Sequence, residues 1–574
     1  MCLKELYRKY ENMILAVLLL VLIGVFVAIR YDYYYALNDD VLIKDIISGR
    51  YMGRPASRNN QMLYPLSLAF SLIYKILPGV PWYALFEWGC HFGCLLLIVW
   101  RSLRFCRNSY TKWLLCVVEG LLIIGFFMEH LVFSQYTITS GLLAGTALFL
   151  FVTEKGTENL LTRSIPSIVL IVLAFLLRSE MLLLMLPFIC VAGIYRWSCE
   201  TKIFTSKNFR IYLGVFGCIL AGLAVSFIVD FIGYSGEDWK DFRAYFDART
   251  TLYDYTGIPV YEQNQKFYDS NEISKNQYDL LQNYNYGLDD EINTPMLEKV
   301  SAYAKGIQEG LLSRVKLGLI RYRYRITNLD AYPYCLLAAL GYILGILALH
   351  RKNKGRIAFT LTFLFAVRSV IWVYILMTNR IPVRITHPLY FVEFLLLASV
   401  YLTEFLAEDR KEKERTYKSI FAIVLCFLLG SCITAYGIKT TDEQIGQAAE
   451  NNVANYALQS YCAKNPDNFY FLDVYSSIHF TEKMFENKGG VSNYELLGGW
   501  ICNSPIYREK LQNFGIYSVE EAFLTLDNVY LIQDTEGSFE WINEYFSQKG
   551  LRLEVHEVER LEGGLGVFQL EILE

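Results

Sequence analysis

The sequence predicts a polytopic α-helical membrane protein of about eleven transmembrane helices with a C-terminal extracytoplasmic α/β domain, and three observations carry that prediction. Of 574 residues, 54% are hydrophobic, 16% aromatic and only 19% charged, which is more apolar surface than one soluble core of this length can bury. A soluble enzyme is thereby excluded. The surplus is gathered into runs such as Met13–Ile29, Trp82–Trp100, Ile211–Ile232 and Ala358–Met377, each close to the roughly 20 residues that cross a bilayer as a helix. The short connections holding Arg101 to Lys112, Arg196 to Arg210, Arg351 to Arg356 and Arg410 to Lys418 are strongly basic, which marks them as cytoplasmic.

Taken in order, the first run follows Lys4, Arg8 and Lys9 but is longer than a signal-peptide core. Arg30-Tyr31-Asp32 comes next in place of small residues, so the run is read as a retained anchor with its N-terminus inside. The crossings then fall at 13–29, 81–100, 113–128, 134–152, 165–177, 181–195, 211–233, 333–349, 357–377, 387–406 and 419–438, and every basic loop lies on one side. Met62–Leu77 would break that parity if it crossed. It is short and flanked by Pro65 and Pro78, so it is assigned as a re-entrant or interfacial helix on the outer face. Residues 1–438 form the membrane domain, with an outer loop at 30–80 and an outer cap loop at 234–332, and residues 439–574 form the extracytoplasmic domain. From Thr440 onward there are 8 Lys and Arg against 22 Asp and Glu, an acidic tail suited to the outer side.

Within that tail, Glu443–Ala463 has helical periodicity, Asn468–Val474 and Asn528–Gln533 read as strands, and Pro505–Asn513, Val519–Leu526 and Phe539–Gln548 as helices. Leu551–Leu561 and Leu565–Leu573 read as a closing hairpin. Strands alternating with helices indicate an α/β unit. The 234–332 loop is rich in Tyr and Asn and partly helical over Thr294–Leu312, and it is read as a solvated cap on the outer helix ends.

Most of the thirteen cysteines sit in apolar spans, where a thiol is a small hydrophobe; Cys462 and Cys502 in the tail either pair or stay free. With no CxxC, no HExxH and six scattered histidines, no metal site and no cofactor can be argued, and nothing suggests a nucleic-acid partner. Glu129-His130 and Gln135 sit at one outer turn. Polar contact between helices accounts for them, with contact to a bound acceptor as the alternative.

The stretch most suggestive of chemistry follows the first span: Asn38-Asp39-Asp40, then Ser48-Gly49-Arg50 and Gly53-Arg54-Pro55. Adjacent carboxylates at a membrane surface can raise one pKa and yield a base. Equally, Asn38 or Asp39 would cap a helix Val41–Ser48 that Gly49 ends. A first span with its N-terminus inside, paired outer acids just after it, a short outer helix, eleven crossings and an outer C-terminal domain together resemble the GT-C class of polyprenyl-phosphate-sugar-dependent glycosyltransferases. Protein O-mannosyltransferases and the aminoarabinose transferases of lipid A belong to that class, and the Asn-Asp-Asp…Gly-Arg pattern is also similar to that of O-antigen glucosyltransferases.

That resemblance implies an integral-membrane enzyme of the cell envelope moving a sugar from a polyprenyl-phosphate donor to an extracytoplasmic acceptor. It also implies Asp39 as the base, with Asp40 second. A leaving lipid phosphate needs fixed positive charge, which arginine's planar fork supplies best. Arg178 with Glu180 at a tight outer turn, Arg380 and Arg384 four apart in another, and Arg54 behind the acidic motif are the candidates, whereas Arg58 is assigned to snorkelling toward headgroups. Two other readings stay open. A polysaccharide polymerase or ligase would rest on the 234–332 arginines and not on Asp39. A lipid-linked-sugar flippase or transporter would want broken helices carrying midplane charge and has no obvious place for the tail.

Overall fold

The computed structural model describes residues 3–106, 108–154, 158–200, 204, 206–327, 333–347, 353–378, 381–406, 416–486 and 488–573. Helix α1 (Leu3–Arg30) leads through a two-residue strand β1 (Tyr34–Tyr35) to α2 (Asn38–Ser48) and α3 (Tyr64–Ile76). The bundle continues with α4 (Trp82–Leu103), α5 (Ser109–Val132), β2 (Phe133–Ser134), α6 (Tyr136–Val152), α7 (Leu160–Arg163), α8 (Ile165–Leu177), α9 (Ser179–Ser198) and α10 (Ser206–Gly233). The expected cap follows as α11 (Glu237–Thr250), α12 (Gln265–Ser270), α13 (Lys275–Gln282), α14 (Thr294–Ile307) and α15 (Leu311–Thr327). The bundle then closes with α16 (Tyr334–Leu347), α17 (Lys354–Met377), α18 (Val383–Tyr401) and α19 (Thr416–Lys464).

Among the described residues, seven helices are long and apolar enough to cross a bilayer, and three shorter apolar ones stand at 136–152, 165–177 and 334–346. Together with the first half of α19 they occupy every crossing read from the sequence. The α3 helix is 13 residues long, with Pro65 in its first turn. At the centre is α6, in which every residue except Phe151 is buried. Its Gly141 and Gly145 allow α18 to approach closely: a Cβ at Gly141 would stand 2.4 Å from Pro388 and one at Gly145 2.9 Å from Leu395. Inside the bundle Arg368 donates to the Glu393 carboxylate at 2.9 Å, and Tyr322 and Tyr342 close the pair, so neither charge is left bare.

The cap is more than a solvated loop. The α15 helix packs along α17, with Arg321 donating to the Leu376 carbonyl at 2.8 Å and Tyr322 bonded to Ser369. Its alternating arginines and apolar residues hid that contact, because the sequence pattern reads as polar. Trp239, Phe242, Leu280 and Leu288 share one hydrophobic core with Leu497, Ile501 and Leu531 of the tail.

After α19 come β3 (Phe469–Leu472), α20 (Val474–Ser477), β4 (Glu482–Lys483), β5 (Tyr494–Leu496), α21 (Pro505–Asn513), α22 (Val519–Thr525), β6 (Val529–Asp534), α23 (Glu540–Gln548), β7 (Arg552–Arg560) and β8 (Leu565–Leu573). Five strands form a mixed sheet in the order β5-β3-β6-β8-β7, parallel across the first three and antiparallel across the last three. The interior strand β3, between β5 and β6, is buried along its whole length, as expected of a parallel strand covered on both faces. A second sheet, β2-β1-β4, pairs Tyr34 with Phe133 in parallel and with Lys483 in antiparallel register. Cys462 and Cys502 are both free and buried.

Candidate functional site

The small sheet places the acidic motif. Tyr34 and Tyr35 are fixed between the α5–α6 turn and the tail, and the Ala36 N–H donates to the Ser134 carbonyl at 2.8 Å, so α2 starts where three parts of the chain meet. Salt bridges hold its outer face. Glu482, wholly buried on β4, receives Lys44, and Lys488 stands 3.1 Å away. Burial alone would lift the Asp45 carboxyl, but Lys44 and Arg50 beside it hold it below the usual range. The expected side-chain cap is absent. Leu37 is the N-cap and makes no side-chain bond, while Gly49 ends the helix at φ 95°, its N–H donating to the Asp45 carbonyl. Asp39 and Asp40 therefore lie in the first turn, favoured by the helix dipole, with both side chains free to serve elsewhere.

Their environments differ sharply. Asp39, 19% exposed, accepts from Arg384 Nη1 at 2.8 Å and from the Trp500 indole Nε1 at 3.0 Å. Asp40 is fully buried; its Oδ1 accepts from the Tyr83 hydroxyl at 3.1 Å and the Tyr136 N–H at 3.0 Å, and its Oδ2 has no partner. Burial, reinforced by Glu87, pushes the Asp40 carboxyl well above the ordinary range. One acid is open to the rim and paired with a cation; the other is a buried strut beneath it.

Arg178 stands between α8 and α9 and donates to Gln61 Oε1 at 2.6 Å, an oxygen that also accepts from the Tyr136 hydroxyl at 2.9 Å. Its guanidinium carbon lies 5.4 Å from the Tyr136 ring centroid, and its Nε is 3.2 Å from the exposed Glu180 carboxylate. Tyr136 is thus within electrostatic reach of Arg178, Arg384, Asp39 and Asp40 together. Trp500 is held by its loop: Gly499 takes φ 107°, a Cβ at Gly498 would stand 1.9 Å from the Tyr284 carbonyl, and the Tyr286 hydroxyl bonds both backbone groups of Gly499.

The fold therefore gathers Asp39, Asp40, Arg178, Glu180 and Arg384 at one end of the bundle, the end that carries the α/β domain. Arg54 is elsewhere, in a bidentate exposed pair with Glu509 on α21. Arg380 lies outside the described residues. Arg58 donates to the Gly233 carbonyl at 2.7 Å and sits beside Trp239. The sequence reading missed Trp500, Tyr136, Gln61 and Tyr83, and only the Gly498-Gly499 pair before Trp500 hinted at a special backbone. Beside Arg384 opens a cavity of about 280 Å³, walled by Glu129, His130 and Gln135 and by the amides Gln444, Gln447 and Asn451 of α19.

Fold and site together define a polytopic membrane protein with an acid–arginine centre under an α/β domain. No protein-family model matches the chain, and no curated protein matches it. Among solved structures it is similar in outline to ArnT from Cupriavidus metallidurans bound to undecaprenyl phosphate, at 10% identity and a TM-score of 0.42 over 97% of this chain and 98% of that one. The same enzyme in its apo state gives 10% identity and a TM-score of 0.41 over 96% and 97%.

Proposed function

We propose that the protein is an integral-membrane glycosyltransferase that moves a sugar from a polyprenyl-phosphate donor to an extracytoplasmic acceptor, with Asp39 as the base. The observation that carries this reading is the Asp39 carboxylate held by Arg384 and Trp500 beside Arg178, at the bundle end that the basic loops place outside the cell. In the resting protein Arg384 neutralises Asp39. A donor phosphate entering between Arg384 and Arg178 competes for the Arg384 fork and frees the carboxylate. The acceptor hydroxyl then attacks the anomeric carbon, its proton passes to Asp39, and the bond to the phosphate oxygen breaks with its electron pair leaving on the phosphate, where the two guanidiniums stabilise the charge. The amides of the adjacent cavity suit a hydroxyl-rich acceptor.

Native mass spectrometry of the detergent-purified full chain with undecaprenyl phosphate and with undecaprenol tests the donor half. The phosphate is expected to bind and the alcohol not to, and Arg384→Ala is expected to weaken phosphate binding at least about tenfold, the scale of one charge-assisted bond. Equal retention of alcohol and phosphate would overturn the reading.

A further inference from the structure

Two histidines 257 residues apart in sequence meet beside the cavity. His130 Nε2, on the last turn of α5, lies 2.8 Å from His387 Nδ1, one turn beyond Arg384 on α18. The Glu129 carboxylate joins them, and one ligand atom from each of the three falls within 4.8 Å of the others. The rings are held in place. His387 stands 4.3 Å from the Tyr334 ring, whose hydroxyl is tied to the Phe126 carbonyl, and His130 meets Phe127 and Phe391 edge-on.

We propose that Glu129, His130 and His387 form a binding site for a divalent transition metal of the zinc class, with an open coordination position facing the cavity. Two imidazoles and one carboxylate are the ligand set of zinc sites that keep a fourth position for water or substrate. Imidazole selects this class of ion over magnesium or calcium, which demand oxygen ligands. Zinc–nitrogen bonds of about 2.0–2.1 Å at a tetrahedral angle set the two nitrogens roughly 3.3 Å apart, so metal entry replaces the His–His hydrogen bond by a separation about half an ångström wider.

A separate observation shows that this corner awaits a ligand. Gln135, buried at 2% exposure and lining the same cavity, spends its Oε1 capping α6 through the N–H groups of Thr137 and Ile138, and its Nε2 donor has no partner. A buried donor without an acceptor is costly. An oxygen bound to the metal in the open position supplies the acceptor, and the metal then sits one helical turn from the arginine that holds Asp39. This site does not depend on the glycosyltransferase reading, since its test reads metal and not sugar transfer.

The test uses full-length protein in detergent, free of any polyhistidine tag and stripped with EDTA, titrated with Zn²⁺ against a competing chromophore and with Co²⁺ followed by visible absorption. One equivalent of Zn²⁺ is expected, with a tetrahedral Co²⁺ spectrum. His130→Asn and His387→Asn should each weaken binding by more than the roughly 10–100-fold that loss of an outer hydrogen-bond partner of a ligand costs. Glu129→Gln, half-buried at a helix end and least able to disturb packing, should weaken binding and alter the Co²⁺ spectrum. His479→Asn, at an exposed position, should change nothing. Failure of the unmodified protein to bind Zn²⁺, or binding and spectrum unaltered in Glu129→Gln and in whichever histidine variant elutes as a folded monodisperse species, would overturn the proposal.

Discussion

Asp40→Asn and Asp40→Ala separate a strut from a base. In the native protein Asp40 Oδ1 accepts from the Tyr83 hydroxyl and the Tyr136 N–H, and burial favours the protonated form of the carboxyl. Asparagine retains that acceptor and is neutral at every pH, so transfer activity is expected to survive. Alanine strands two buried donors at about 1–3 kcal/mol each, a loss of about 2–6 kcal/mol before any cavity cost. The pH dependence has a definite sign. Because the folded pKa is raised above the ordinary 3.8, the contribution of Asp40 is fully present below that value and is lost as pH rises toward the folded pKa. Over that window the native state holds one proton more than the unfolded chain, and stability falls by up to about 1.4 kcal/mol per pH unit. Asparagine should remove that fall. The assay is thermal unfolding in detergent across pH 4 to 8, paired with sugar transfer from a polyprenyl-phosphate donor. An Asp40→Asn protein that unfolds like the native one yet transfers nothing would refute the assignment and make Asp40 the base.

Three further outcomes follow from the same geometry. Asp39→Asn keeps the shape and the contact with Trp500 but removes the proton acceptor, so turnover should drop by about 10²–10⁴ in a protein that still folds; full activity would sink the base role. Arg384→Lys keeps the charge and loses the fork, so donor binding measured by native mass spectrometry should weaken; at Arg178 the same exchange also loosens Glu180 and Gln61, so protein yield must be followed alongside it. Lys510, 2% exposed, donates to the Tyr494 carbonyl at 2.6 Å and to Glu495 at 3.0 Å, so Lys510→Met leaves a buried carboxylate unpaired and should cost about 3–5 kcal/mol, read as a lower unfolding temperature.

What could be read from the sequence was what is local. Each apolar run sums its own hydropathy, so every crossing was visible. The tail's longer strands and helices announced themselves by period, from Asn468–Val474 through the closing hairpin. Strands of two or three residues, β1, β2, β4 and β5, were not visible, because two residues have no period. Nor was the side of α2 to which each acid turns: Asp39 faces outward and Asp40 inward because α18, α6 and the tail lie where they do, and no local pattern encodes a partner 461 residues away. The capping reading failed for the same reason, since Leu37 is fixed by the sheet before it and needs no side-chain cap. His130 and His387 looked scattered because only the crossing of α5 and α18 brings them together.

The three-stranded sheet also sets a schedule. The strand that aims α2 is made within the first forty residues, but its second neighbour is Glu482–Lys483, and the indole that holds Asp39 is Trp500. A nascent chain therefore carries its acidic motif through almost the whole of synthesis and membrane insertion without the contacts that orient it. The centre is complete only when the last segment has docked, so a chain cut short between residues 465 and 500 holds every helix of the bundle yet lacks the indole that holds Asp39.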